Sequence, residues 1–499
     1  MATILQAGRN YWHREPVTQA GILVDGDDYY RAIYEAGQRA TSYLLLAGWQ
    51  FDTDACLLRG EEARGAELPV TLLAYLNALC ERRPELKIFV LAWDFHAVFA
   101  LEREWMQDLR FKWLTSQRLQ FVFDAHHAEG GSHHQKFVVV DGQLSFLGGL
   151  DLCDHRWDDR NHRVPNPLRV SRGAPHGPFH DVQAYLVSEG VGRRLLELFR
   201  ARWLAAGGEP FEVAAPSGSF SDYAPAGATT LDAEQVVLSR VDPFGMPEAS
   251  GDCREVLQLT LDAIAAAERL IYVETQYFSS KVVGEALAQR LRSSSSSPLD
   301  VVLVLNEHAE TAKEEVAVGL AQAKVIKELR EAVSGAHHRL GIYFTVPHTE
   351  AGVEAPRATY IHSKLLIVDD RFMTVGSANW TNRSGSLDTE LNMAVEAADA
   401  QGALGRSIVR ARQSLIAEHL GLEGLGEPPE LVTELNERAR VGQSRLRLHP
   451  SPTEAELSIL TVIDPQQLPF DPAAPEQREH DHSLFIGGLG ALWQRLVGA

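Results

Sequence analysis

The chain has 499 residues, with 47 Lys plus Arg against 67 Asp plus Glu and a formal net charge of −20. Its 45% apolar and 23% charged content exclude a disordered or fibrous protein and suit two or three packed domains. The acidic balance counts against a nucleic-acid partner, which needs Lys and Arg to neutralise phosphates, and there is no polybasic tether for an anionic membrane.

Residues 1–20 read as a loose leader without a basic region followed by an apolar core, so the expected location is cytoplasmic, with at most peripheral membrane contact. No apolar run reaches the ~18 residues of a membrane span. Asp25, Asp27 and Asp28 open a helix through Tyr29, Ile33 and Tyr34, where the helix dipole favours acids. Residues 42–49 form a buried strand, 68–80 a helix, and 86–92 and 119–123 further strands. Then comes Ser132-His133-His134-Gln135-Lys136 followed by Phe137-Val138-Val139-Val140-Asp141. Past a linker at 207–234, the order repeats: helix 255–267, strand 270–273, strand 301–305, long helix 311–333 and strand 341–346. The repeat ends in His362-Ser363-Lys364-Leu365-Leu366-Ile367-Val368-Asp369. A short serine-rich loop spans 293–297. A Glu- and Pro-rich appendage occupies 421–499, with Pro465, Pro469, Pro472 and Pro475 and an apolar stretch at 484–496.

The two motifs share more than His, Lys and Asp. Six residues after each aspartate comes a turn of small residues, Gly148-Gly149-Leu150-Asp151 in one and Gly376-Ser377-Ala378-Asn379 in the other. Trp49 precedes His134 by 85 residues and Gln276 precedes His362 by 86, which argues for an internal duplication. Residues i and i+2 of a strand share a face, so each histidine stands beside its lysine, an arrangement suited to a phosphate. Asp141 and Asp369 fall at an odd offset past the strand end and are expected to be structural, Asp141-Gly142 as a hairpin turn. His126, His127 and His133 crowd the first motif and read as a polar loop at least as well as a metal site. Cys56, Cys80, Cys153 and Cys253 show no zinc-site spacing and read as free thiols.

These paired HxKxxxxD motifs resemble those of the phospholipase D superfamily. Phe146 to Cys153, the Arg156-Trp157-Asp158 run and Glu274-Thr275-Gln276-Tyr277-Phe278 resemble its phosphatidylcholine-cleaving branch more than its nucleases. The resemblance covers about residues 20–420 and implies an α/β fold. Two similar α-β-α sandwich halves, 21–206 and 235–420, would have mixed, mostly parallel sheets and be related by a pseudo-two-fold, with one active site at their interface. It implies that His134 is the nucleophile and His362 the general acid/base, an order the sequence leaves open. Lys136, Lys364 and Asn379 would bind the substrate phosphate. It also implies one orienting carboxylate per histidine: Glu390, 28 residues after His362, and Asp181, 47 residues after His134 across an inserted loop at 155–178. Trp157 and Arg156 read equally as headgroup-pocket residues or as a core tryptophan with a surface arginine. Asn382-Arg383-Ser384 is expected to shape the loop after Asn379, and Tyr277 and Phe278 to border the lipid entrance or the core.

The implied function is headgroup hydrolysis of glycerophospholipids, phosphatidylcholine foremost, to phosphatidic acid and an alcohol through a phosphohistidine, with transfer to other alcohols as a side activity. No cofactor or metal is called for. The expected partner is phospholipid met transiently at a membrane surface, and the expected state is a monomer. The alternatives are a phosphatidyltransferase of the cardiolipin or phosphatidylserine synthase type, a superfamily nuclease or phosphodiesterase, and a lipid-binding protein without catalysis, against which both intact motifs speak.

Overall fold

The structure is a computed structural model. It describes residues 3–94, 116–243, 253–294, 297–309, 315–350, 352–353, 358–426, 428–442, 444–454, 458–460, 464 and 471. The expected helix start at 311–314, the centre of the serine loop, Pro465, Pro469, Pro472, Pro475 and the apolar stretch at 484–496 lie outside these residues.

Each half is built on a twisted sheet. In the first half the strands run Thr229–Leu231, Gln19–Val24, Val182–Val187, Leu144–Gly148, Phe137–Val140, Tyr43–Gly48, Lys87–Trp93 and Leu119–Asp124 from edge to edge. In the second they run His13–Pro16, Gln235–Asp242, Glu390–Glu396, Phe372–Gly376, Lys364–Val368, Leu270–Thr275, Asp300–Val304, Arg339–Thr345 and Leu446–Leu448. From Gln19–Val24 in the one and Gln235–Asp242 in the other, seven strands correspond in order and direction. That is the duplication the motif spacing predicts.

The sheets are mixed, as expected, but parallel pairing is confined to three strands in each half: Tyr43–Gly48 with Lys87–Trp93 and Leu119–Asp124, and Leu270–Thr275 with Asp300–Val304 and Arg339–Thr345. The remaining strands of both sheets pair antiparallel, which corrects the expectation of mostly parallel sheets. The cause is local. Each motif strand turns back through a tight hairpin at its aspartate, and a three-residue connection cannot make the crossover that parallel pairing needs.

Apolar side chains fill both faces of the central strands, and Tyr43–Gly48 and Leu270–Thr275 are buried along their whole length. One core lies between the halves and draws Leu45, Phe137, Leu147 and Ala184 from one sheet, Leu365, Ile367, Val375 and Met393 from the other, and the buried faces of helices Glu189–Ala205 and Ala403–Leu420. Two outer cores sit under helices Asp25–Arg39 and Leu72–Arg82 on one side and under Glu255–Ala266, Lys281–Arg292 and Leu320–Val333 on the other.

The connecting segments are not loose. Ile4 and Leu5 are buried, and their amides donate to the Glu396 carboxylate at 2.8 and 2.9 Å. His13–Pro16 is an edge strand of the second half's sheet, so the leader ties the halves together. Within the linker, Phe220 and Tyr223 are buried, and the Tyr223 hydroxyl donates to the Ala32 carbonyl at 2.9 Å. From the appendage, helix Leu431–Val441 and strand Leu446–Leu448 cover the far edge of the second sheet. The inserted loop adds strand Arg163–Val164 beside His348–Thr349 of the second half. Among the described residues no helix is long and apolar enough to cross a membrane.

Candidate active site

The two motifs meet at the seam between the halves. Short parallel contacts bring them there. In one, His133 bridges Thr389, the Thr389 amide donates to the Ser132 carbonyl and the His134 amide donates to the Thr389 carbonyl, both at 3.0 Å. In the other, Phe179–His180 pairs with Tyr360–Ile361, and the His362 amide donates to the His180 carbonyl at 2.8 Å. Each motif is thus tied to the residue that precedes a carboxylate of the opposite half.

The orienting carboxylates are therefore exchanged. His134 Nδ1 donates to Glu390 at 3.0 Å, and His362 Nδ1 donates to Asp181 Oδ2 at 2.6 Å. The chain supplies both carboxylates named from sequence, but each holds the histidine of the other half, not its own. The spacings of 28 and 47 residues along the chain do not measure these distances, because parallel bridging across the seam sets the pairs. Ser377 Oγ donates to Glu390 at 2.5 Å and the Val182 amide donates to Asp181 at 2.7 Å, so both carboxylates are fixed in turn. With each Nδ1 engaged, Nε2 is the ring nitrogen left for chemistry.

Lys136 Nζ donates to the His134 carbonyl at 3.0 Å and lies 3.4 Å from Asp151 Oδ2. Lys364 Nζ donates to Gln276 Oε1 at 2.9 Å and to the His362 carbonyl at 2.5 Å. Asn379 Nδ2 donates to the same Gln276 oxygen at 3.3 Å, which puts the Asn379 amide beside Lys364. Its counterpart Asp151 accepts from the Trp49 amide at 2.8 Å and lies 3.1 Å from Arg156 Nη1. Sequence left Arg156 on the surface or in a pocket. It is buried beside Asp151, and its charge reaches His362, Lys136 and Lys364. The signal was available: an aspartate where the other half has an asparagine calls for one more cation.

Burial of this many cations lowers their proton affinity. Both catalytic-motif histidines are pushed well below the usual imidazole range by desolvation, then by the neighbouring lysines, and for His362 also by Arg156 and His134. Lys364 is held down to about 7, chiefly by burial. Burial, reinforced by Asp388, raises Glu390 to about 8, and burial raises Asp181 to about 6. A cluster of strained cations around one space is a receptacle for an anion, whose charge would restore them.

Asp141 and Asp369 stand apart from this space. Asp141 accepts from the Thr41, Ser42 and Tyr43 amides, and Asp369 from those of Glu268, Arg269 and Leu270, at 2.7–2.9 Å. Both sit in the left-handed region, with φ of 53°, at their hairpin turns. His133 is bound to Asp124, the His126 carbonyl and Thr389. Trp157 and Phe278 are core residues, and Asn382 and Arg383 bond to Asp471. The Tyr277 hydroxyl lies 3.2 Å from that of Tyr360.

Two corresponding α/β halves thus bring a His-Lys pair from each to their seam, both histidines backed by carboxylates, as a single composite centre. Comparison with known proteins agrees. A family profile described as "Cardiolipin synthase, PLD-like domain" matches residues 260–408. Phospholipase D alpha 1 of Nicotiana tabacum is 24% identical over 533 residues, covering 80% of this chain and 65% of its own length. Phospholipase D alpha 4 of Arabidopsis thaliana is 24% identical over 489 residues, covering 78% and 63%. The chain thus spans about two thirds of the length of these curated relatives. The solved phosphatidylserine synthase of Haemophilus influenzae Rd KW20 shares the fold, with a TM-score of 0.53, 14% identity, and coverage of 90% of this chain and 96% of that one. The chain is therefore similar, in fold and in both motifs, to proteins of the phospholipase D superfamily.

Proposed function

We propose that the chain is a phospholipase D that hydrolyses the headgroup phosphodiester of glycerophospholipids, phosphatidylcholine foremost, and transfers the phosphatidyl group to small alcohols as a side activity. The exchange of carboxylates across the seam is the observation that supports this best, because it prepares two imidazoles around one anion space. The curated relatives named phospholipase D support the same reading.

In this mechanism the bound phosphate anion draws a proton onto His362 Nε2; His134 Nε2 then attacks phosphorus while the phosphorus–oxygen bond to the headgroup breaks, and the departing oxygen takes that proton from His362. Water then gives a proton to His362 and attacks phosphorus, breaking the phosphorus–nitrogen bond and releasing phosphatidic acid. An alcohol in place of water gives the transfer product. Lys136, Lys364 and Asn379 hold the phosphate oxygens as charge grows on them. Arg156 adds its charge beside Asp151. Glu390 and Asp181 fix the tautomers by accepting from Nδ1. The substrate is met transiently at a bilayer surface by a monomer.

Incubation with phosphatidylcholine vesicles in dilute ethanol, followed by lipid mass spectrometry, is expected to give phosphatidic acid and phosphatidylethanol. Acid-free peptide mapping of the quenched enzyme should place a phosphatidyl adduct on His134. An adduct on His362 instead would reverse the two roles. Absence of both lipid products from folded protein would refute the proposed activity.

A further inference from the structure

Directly behind the His362–Asp181 pair lies a second polar cluster that the proposed chemistry leaves unused. Asp25 opens the first helix, His162 comes from the inserted loop, His180 from the strand before Asp181, and Glu418 from helix Ala403–Leu420 of the other half. All four are buried, and one ligand atom from each falls within 4.8 Å of the others. His180 Nδ1 lies 2.7 Å from Glu418 Oε1 and 3.1 Å from Asp25 Oδ1. His162 Nε2 lies 3.2 Å from Glu418 Oε1 and 3.5 Å from Asp25 Oδ2.

The outward nitrogens of the two rings are equally constrained. His162 Nδ1 faces Asp158 Oδ2 at 2.8 Å, and His180 Nε2 faces Glu274 Oε2 at 2.9 Å. Both carboxylates are anchored elsewhere. Asp158 accepts from Arg169 at 2.8 Å and from the Phe179 amide at 2.9 Å. Glu274 accepts from Ser363 at 2.7 Å and Tyr272 at 2.5 Å, and lies 2.9 Å from His419 Nε2. A ring that ligates a metal through one nitrogen donates its other N–H to a carboxylate in this manner. Asp25 Oδ2 accepts no hydrogen bond, although fully buried, and is aimed at His162. Asp25 is also held at φ 66°, a left-handed conformation that a non-glycine residue adopts at a cost, which here aims its carboxylate into the cluster.

We propose that Asp25, His162, His180 and Glu418 form a buried zinc site that clasps the two halves together. A tetrahedron with ligand bonds of about 2.0–2.1 Å has edges of about 3.3 Å; Glu418 Oε1 stands 2.7 and 3.2 Å from the two ring nitrogens, and Asp25 approaches the same nitrogens at 3.1 Å through Oδ1 and 3.5 Å through Oδ2, so a small turn of its carboxylate offers one oxygen to both. Two imidazole nitrogens and two carboxylate oxygens, enclosed and four in number, suit Zn²⁺ better than the oxygen-rich, larger shells of Ca²⁺ or Mg²⁺. Each ring has a carboxylate at both nitrogens, and the two ring centroids lie 6.0 Å apart deep in the seam. One divalent ion between them would draw the two inner ring nitrogens and the two carboxylates to a single point. The ion touches no reacting atom. Its influence reaches catalysis through Asp25, whose amide donates to the Asp181 carbonyl at 2.8 Å and whose Oδ1 accepts from the Asp181 amide at 3.1 Å. The four ligands are positioning residues, not catalytic ones.

The test uses the full chain produced with zinc in excess and freed of loose metal on a chelating column. Elemental analysis is expected to find about one zinc per chain, and Co²⁺ in its place should give the visible bands of a four-coordinate ion. His162→Gln is expected to abolish both the bands and the stoichiometry and to lower the melting temperature by several degrees; Glu418→Gln serves the same purpose if the first variant does not fold. Zinc below about one tenth of an equivalent in folded wild-type protein would overturn the site and leave a protonic ion-pair network. Cobalt bands that persist unchanged in either variant would overturn its placement.

Discussion

Lys364 shows how burial sets the working range of this centre. Burial holds it down to about 7, with Lys136 and Arg156 acting in the same direction and Asp181 against them. An anion favours the charged ammonium, so anion binding draws in a proton and must weaken as pH rises through 7. Glu390, held up to about 8, loses its proton above that point and adds to the loss. Sulfate, which does not itself titrate here, is therefore expected to bind up to about tenfold more weakly per pH unit between 7 and 8.5 by calorimetry. Lys364→Arg, which stays charged throughout, should reduce that slope; a flat wild-type profile would contradict the assignment. The two carboxylates offer a second experiment. Asp181→Asn is expected to lower kcat by about 10²-fold or more with little change in KM, because it disturbs proton delivery by His362 and not phosphate contact. Glu390→Gln should act instead on formation of the His134 adduct, read as a lost pre-steady-state burst. Equal effects of both on the burst would mean that the exchanged pairs do not separate the two roles.

At the scale of elements, the small-residue turns decide how closely the halves approach. A Cβ at Gly149 would lie 2.5 Å from Asp181 Oδ1 and 2.9 Å from the His362 carbonyl. Gly149→Ala is expected to cut turnover by at least about tenfold while leaving the circular dichroism spectrum unchanged, since the displaced groups belong to the site and not to the core. Wild-type turnover in that variant would show that the seam can open without harm. The turn positions, both motif strands and the repeated order of elements were legible in the sequence because each follows from local periodicity and spacing. The antiparallel majority of the sheets was less so, since a hairpin and a crossover strand have the same apolar run. The exchange of Asp181 and Glu390 was not legible at all: it depends on backbone bridges between Thr389 and His133 and between His180 and Ile361, residues that carry no signal of pairing. Arg156 was visible only as a residue near a motif, because its burial is set by Asp151 across the turn.

For the whole molecule, the shared central core and the exchanged edge strand make the two halves one folding unit. His13–Pro16 extends the second half's sheet although it precedes the first half in the chain, and Leu147 and Val375 belong to the same buried cluster. Differential scanning calorimetry is expected to show a single transition, with van't Hoff and calorimetric enthalpies in agreement. Two resolved transitions would mean that the halves unfold separately and that the seam contributes little.

The exchange of carboxylates also orders events during synthesis. His134 waits for a partner that is 256 residues further along the chain, and His362 reaches back 181 residues for its own. A ribosome that has completed the first motif has made a histidine without its tautomer-fixing carboxylate and a phosphate cradle with half its cations. Competence therefore arrives last, after the second half has been translated and docked.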